Sequence, residues 1–239
     1  MALSYLLFDL LFLAVPAAAL AALVPRAARR RAAAAVALVA GVTVSYAAPW
    51  DNHVVAQGVW TYGPGSVVAQ VPHTPVGEYL FFVLQPALVG AWYYRAPPDV
   101  VADVGVGPFP TRPVVGALWV ALALAGGALL AAPLPGGYYL GALLLWVAPV
   151  HALAWVFGGP ALWRYRRPLA RAVAVTTAYL WVADWVALET GVWAVAPDRS
   201  LGVVVVGVPV EELAFFALTN ALLVSAFVLF DWVLARARV

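Results

Sequence analysis

Two adjacent carboxylates, Glu211 and Glu212, head a long apolar stretch, and two phenyl rings, Phe215 and Phe216, follow one turn deeper. The segment Pro209-Val210-Glu211-Glu212-Leu213-Ala214-Phe215-Phe216 has a near copy in Pro75-Val76-Gly77-Glu78-Tyr79-Leu80-Phe81-Phe82, with one glutamate missing. Ionisable groups at membrane depth are costly and mark functional sites by default. Helical residues three and four apart share a face, so Phe81 and Phe82 lie below Glu78, and Phe215 and Phe216 below Glu212. A carboxyl group stacked over a ring is an arrangement for handing a proton to an alkene and steadying the cation that results. Such an acid must arrive neutral and dry. A helix amino terminus favours the anion by at most ~2 kcal/mol, whereas burial beside a second carboxylate favours the protonated form by up to about 3–5 pKa units. In a pocket filled by an oily substrate, desolvation wins and leaves one carboxyl as acid and another as base.

The elements that must position these groups are membrane helices. The chain of 239 residues is 65% hydrophobic and only 10% charged, with a mean hydropathy of +0.94. A soluble domain carries about 25% charged residues. Apolar runs of spanning length occur seven times: Ser4–Val24, Ala32–Pro49, Val76–Tyr94, Pro113–Ala132, Tyr138–Phe157, Ala172–Leu188 and Glu211–Leu234. The sixth is the weakest, interrupted by Asp184. With the amino terminus outside, twelve of the thirteen arginines fall on the inner side and only Arg199 outside, as the positive-inside rule requires. Arg26 to Arg31 follow the first run, as in a retained anchor helix rather than a cleaved leader. The expected location is the cell membrane, crossed several times.

Composition also excludes chemistry. There is no cysteine, hence no disulfide, thiol nucleophile or thiolate metal site. All thirteen basic residues are arginine, so a lysine Schiff base, and with it an opsin-like pigment, is ruled out. The arginines sit in loops and build no nucleic-acid-binding face. His53, His73 and His151 lack ligand spacing, so no metal is expected. Asp99 and Asp103 read as solvated loop acids, and Gly105-Val106-Gly107 stands in a proline-rich loop without the strand and helix that a dinucleotide site needs.

The chain is internally duplicated. Thr43, Tyr46, Asp51 and Gly58-Val59-Trp60 recur as Thr176, Tyr179, Asp184 and Gly191-Val192-Trp193, all offset by 133 (184 − 51), and from Pro75/Pro209 the offset is 134 (209 − 75). This predicts an all-α membrane protein of seven transmembrane helices: two parallel three-helix repeats joined by a connecting helix. The boundaries fall at 1–95, 96–133 and 134–239. The outward segments Asp51–Thr74 and Leu188–Val208 read as small caps. In the first, Trp60 and Val67-Val68 flank a Gly63-Pro64-Gly65 turn as a hairpin, and Trp193 with Val203–Val206 is the counterpart. Asp51, Asp184, Glu78, Glu211 and Glu212 all fall at the outer end, where the symmetry brings them together. Trp60 and Trp193 are belt residues at the same level.

These motifs carry a resemblance. Pro49-Trp50-Asp51-Asn52, Gly58-Val59-Trp60, Pro75 to Phe82 and Pro209 to Phe216 resemble the small integral-membrane lycopene cyclases of archaea and of some bacteria and fungi, built from two copies of a three-span domain. The paired Pro-x-Glu-Glu motif of that family is met by Glu211-Glu212, whereas the first copy has Gly77 in place of the first glutamate. The resemblance implies a proton-initiated, redox-neutral closure of the linear ends of lycopene, without flavin or other cofactor. Glu211 or Glu212 would be donor, and Asp51, Asp184 or Glu78 among the acceptors. Phe81, Phe82, Phe215, Phe216, Trp60 and Trp193 would contact a carotenoid that enters sideways from the lipid. The alternatives are a small-solute transporter of the same three-one-three plan and a pigment-binding scaffold. A carrier needs polar contacts along a path open to both sides, and a scaffold has no need of adjacent carboxylates. Oligomeric state stays open.

Overall fold

The computed structural model describes residues 3–105, 110–132 and 136–239. Of the Gly105-Val106-Gly107 stretch, Val106 and Gly107 lie outside the described residues, as does the boundary at 133/134. The chain is an all-α membrane protein with seven long helices among the described residues: α1 (Tyr5–Ala22), α2 (Arg29–Ala56), α3 (Val76–Tyr94), α4 (Thr111–Ala131), α5 (Tyr138–Arg164), α6 (Arg166–Thr190) and α7 (Val210–Arg236). Six of them are long and apolar enough to cross a membrane; α3, the third expected span, is the exception. The reason lies in its sequence, where Glu78, Gln85, Pro86 and a Trp92-Tyr93-Tyr94 end dilute the aliphatic residues. Gln85 and both tyrosines are buried in the bundle rather than offered to lipid.

Prolines shape several helices. In α1 a π-helical turn, Leu10–Ala14, precedes Pro16. The missing amide of Pro16 leaves the Phe12 carbonyl without its helical donor, and the Tyr179 hydroxyl of α6 donates to it at 2.8 Å. In α5 the backbone leaves helical values at Gly158, two residues before Pro160, as expected where a proline kinks a helix. Helix α4 packs along α5 at the edge of the bundle. A Cβ at Gly126 would stand 2.7 Å from the Leu145 amide nitrogen and 2.8 Å from the Gly141 carbonyl oxygen, so glycine lets the two backbones touch.

Six short strands cover one end. Hairpins β2–β3 (Gln70–Val71, Thr74–Pro75) and β5–β6 (Val204–Val205, Val208–Pro209) lead into α3 and α7. Strand β1 (Trp60–Tyr62) does not fold back on Val67-Val68 as the sequence led us to expect. It pairs antiparallel with β4 (Trp193–Val195), with Trp60 opposite Val195 and Tyr62 opposite Trp193. The turn explains the difference. Pro64 carries no amide for a local ladder, and the Gly63 amide is spent on Val192 O at 3.3 Å. A Cβ at Gly63 would collide with the Gly191 carbonyl, so the cross-pairing depends on glycine there.

Two polar layers cross the apolar interior. Gln85 Nε2 donates to Thr219 Oγ1 (3.1 Å) and Asn220 Oδ1 (3.0 Å), and Asn220 Nδ2 donates to Thr177 Oγ1 (3.1 Å). At the end opposite the strands, Asp231 Oδ1 pairs with Arg31 Nε (3.3 Å) and accepts from the Tyr94 hydroxyl (3.2 Å), while Tyr93 donates to Oδ2 (3.4 Å). These bonds tie α2, α3, α6 and α7 together where a bare apolar interface would let them slide.

Candidate active site

Beneath the β1–β4 ribbon the helices enclose a cavity of about 30 Å³, lined by Tyr5, Asp51, Trp60, Glu78, Phe81, Trp193, Glu212, Phe215 and Phe216. Three carboxylates and six rings therefore meet in one place, drawn from α1, α2, α3, α7 and both central strands. Each acid is held by a donor from a different element.

Glu212, in the first turn of α7, is 3% exposed. Trp60 Nε1 donates to its Oε1 at 2.6 Å and the Tyr139 hydroxyl donates to the same oxygen at 3.0 Å. Both donors bond one oxygen of a group that lines the cavity, so Oε2 is left for whatever the cavity holds. Asp51, near the end of α2, accepts from Thr74 Oγ1 at 2.6 Å. Glu78, in the first turn of α3, accepts from the Tyr62 hydroxyl at 3.1 Å. Tyr62 lies in β1, outside the helices; burial first, and then the neighbouring Glu78, pushes its phenol well above its ordinary value, so it stays a donor. Phe81 and Phe216 meet edge to face at 6.2 Å, and Phe215 and Phe216 at 5.3 Å.

Three of the residues expected at this site lie elsewhere. Glu211 is fully buried, but it accepts from Ser200 Oγ (3.1 Å) and the Leu201 amide (2.7 Å), clamping the loop ahead of β5. Successive helical residues point about 100° apart, and here that angle aims Glu211 at the Ser200–Leu201 loop while Glu212 faces the cavity. Asp184 sits behind the lining, accepting from Trp193 Nε1 at 3.0 Å through Oδ1, while its buried Oδ2 has no partner. Phe82 turns away to meet Tyr79 at 6.0 Å.

The sequence reading missed other residues: Tyr5, Tyr62 and Tyr139 around the acids, and Asp9, fully buried one turn below Tyr5 with both oxygens unpartnered. Intramembrane Asp9 carries a signal in its residue type alone. The tyrosines act across the fold and carry none. The missing glutamate of the first motif also finds its cause. A Cβ at Gly77 would stand 2.5 Å from the nearest atom of the Tyr5 ring, so that ring occupies the place a side chain would take. Among the described residues no three His, Asp or Glu side chains gather as a metal-ligand set.

Comparison with known proteins bears on this arrangement. The chain is 41% identical over 239 residues to the lycopene beta-cyclase of Halobacterium salinarum, an alignment covering 98% of this chain and 99% of the relative. It belongs to the lycopene β-cyclase family. Bifunctional lycopene cyclase/phytoene synthases of two fungi align at lower identity: Phycomyces blakesleeanus at 30%, covering 77% of this chain and 32% of that one, and Podospora anserina at 31%, covering 81% and 35%. The cyclase family thus includes chains of this length and fungal chains of which this one spans about a third. No family model and no solved structure matches.

Proposed function

We propose that this protein closes the linear ends of lycopene into β-rings, with Glu212 as proton donor in the aromatic cavity. The observation that carries the reading is Glu212 itself: a buried carboxyl, gripped at one oxygen by Trp60 and Tyr139, beside Phe215 and Phe216 and in one cavity with two further acids. Full-length similarity to a lycopene beta-cyclase supports the substrate class.

The acid adds its proton to the terminal double bond. The resulting tertiary cation is attacked by the neighbouring alkene, closing a six-membered ring, and a ring proton then leaves to a base. One C–H bond forms and one breaks, so no oxidant or reductant is needed. Asp51 and Glu78 are the acids placed to accept the departing proton, and the rings lining the cavity face the cation on several sides. Donors already aimed at Glu212 favour the carboxylate left after it gives up its proton, and they need no reorganisation at that moment. Asp184 supports Trp193, and Glu211 supports the loop ahead of β5; neither needs to touch substrate. Which proton leaves decides the ring type.

The architecture we propose is two parallel three-helix repeats, α1–α3 and α5–α7, with α4 as connector, in a multi-pass cell-membrane protein whose amino terminus and strands face outward. The matched 133 and 134 offsets and the loop arginines support it. The carrier alternative is not favoured. It needs a path open at both ends, and below the cavity Gln85, Thr219, Asn220 and Thr177 satisfy one another.

The test is Glu212→Gln expressed in lycopene-accumulating cells, with the extracted pigment read by chromatography. Lycopene should remain uncyclised while the variant stays in the membrane at wild-type level. Ring formation at the wild-type rate would overturn the assignment.

A further inference from the structure

The cavity of about 30 Å³ has room for about two waters, whereas ligand pockets run to about 300–1,000 Å³. A hydrocarbon end enters only if a wall moves. The walls are closed in different ways. Between α6 and α1 the Tyr179–Phe12 bond is backed by Phe8 and Leu13, both fully buried. Between α2 and α5 the seam is filled by a file of side chains. Trp50 and Trp146 stack at 4.2 Å and 13°, Tyr46 and Trp146 at 5.6 Å and 15°, and Trp50 and Phe215 at 6.2 Å and 10°. Four nearly parallel rings thus run from Tyr46, 40% exposed, to Phe215 in the cavity wall.

One member of the file is loosely held. Trp50 Nε1 donates to Ala142 O at 3.2 Å and Tyr46 donates to Trp146 O at 2.9 Å, but the buried Nε1 of Trp146 has no partner. An unsatisfied buried donor is destabilising. No hydrogen bond from its side chain anchors this ring, which is held by stacking and by packing against apolar neighbours. Outside the seam, α2 carries a shallow, open trough along Ala37, Leu38, Gly41, Val42, Ser45 and Tyr46. The trough ends at the first ring of the file.

We infer that the α2–α5 seam is the polyene slot. Trp146 swings aside, one end of a linear conjugated hydrocarbon passes Trp50 into the cavity, and its chain lies along the α2 trough. The occupant follows from the shape of the file. Flat rings in parallel planes match a flat conjugated chain, and the file is continuous with the acid-lined cavity. This inference rests on the cyclase reading above and adds the route and the binding site of the unreacted chain.

The test uses Gly41→Trp, since a Cβ at Gly41 meets nothing within 4 Å and the added ring fills only the trough. Ala174→Trp is the control, at the position related to Gly41 by the 133 offset (174 − 41) and exposed on α6. Both variants are compared with the wild type for thermal stability and for lycopene conversion in reconstituted vesicles. With folding intact, Gly41→Trp should lower kcat/KM for lycopene about tenfold or more, a barrier of about 1.4 kcal/mol, chiefly through KM. Ala174→Trp should leave it unchanged. Wild-type conversion by Gly41→Trp, meaning a trough that holds only bulk lipid, would overturn the slot, as would equal slowing by both variants. Gly41→Leu, a smaller plug, should fall between wild type and Gly41→Trp, and a Gly41→Leu that is as fast as wild type counts against the slot. A wild-type chain that forms no rings at all refutes the cyclase reading instead.

Discussion

Gly77 offers the most direct physical test of how the site is built. Substitution by alanine adds one carbon, which would stand 2.5, 2.7 and 2.9 Å from three atoms of the Tyr5 ring. Carbon atoms rest about 3.5–4.0 Å apart, so the ring must retreat by roughly 1 Å. It has little room, with Trp193 at 5.0 Å and Tyr62 stacked at 6.2 Å. Overpacking of this kind costs about 1–3 kcal/mol, and each kcal/mol lowers the melting temperature by about 2–4 °C in a chain of this size. Because Tyr5 lines the cavity, Gly77→Ala should also slow lycopene conversion. The decisive measurement is a double-mutant cycle with Tyr5→Ala, scored by thermal unfolding and by pigment conversion. If the clash is the cause, Gly77→Ala costs far less once the ring is gone. Equal losses in both backgrounds, or a fully stable and active Gly77→Ala, would refute the reasoning.

Two further outcomes separate the roles of neighbouring groups. Glu211→Gln puts an amide donor where one of two accepting oxygens clamps the Ser200–Leu201 loop, so it should lower stability by about 1–3 kcal/mol while kcat stays near wild type, read by thermal melts beside pigment assays. Trp60→Phe removes the 2.6 Å donor to Glu212 but leaves Tyr139, so kcat should fall by about tenfold, some 1.4 kcal/mol of barrier, with KM little changed in vesicle kinetics.

The duplicated motif makes much of the cavity lining legible in the sequence. Helical spacing placed Phe81, Phe215 and Phe216 under their glutamates, and the shared offsets brought Asp51, Glu78 and Glu212 to one end, where the structure has all six in one cavity. What escaped was decided by neighbours distant in sequence. The Glu211-Glu212 pair looked like a single chemical unit, yet the helical turn sends one side chain to the cavity and the other to a loop. Phe82 shares the spacing of Phe216 but is drawn off by Tyr79. Strand patterns report which residues extend, not which partner they choose, so the pairing of β1 with β4 is not legible in the sequence. Trp146 and Tyr139 reach the site only through packing of α5, and nothing in their own spacing announces it.

The bond between Trp60 and Glu212 joins positions 152 residues apart, and the ribbon above it is woven from one strand of each half of the chain. Neither half supplies the whole lining of the cavity. A displacement of Trp60 in the amino-terminal half therefore reaches Glu212 in the carboxy-terminal half directly. The cavity is thus a joint product of distant segments, and a change in either is felt at the same carboxylate.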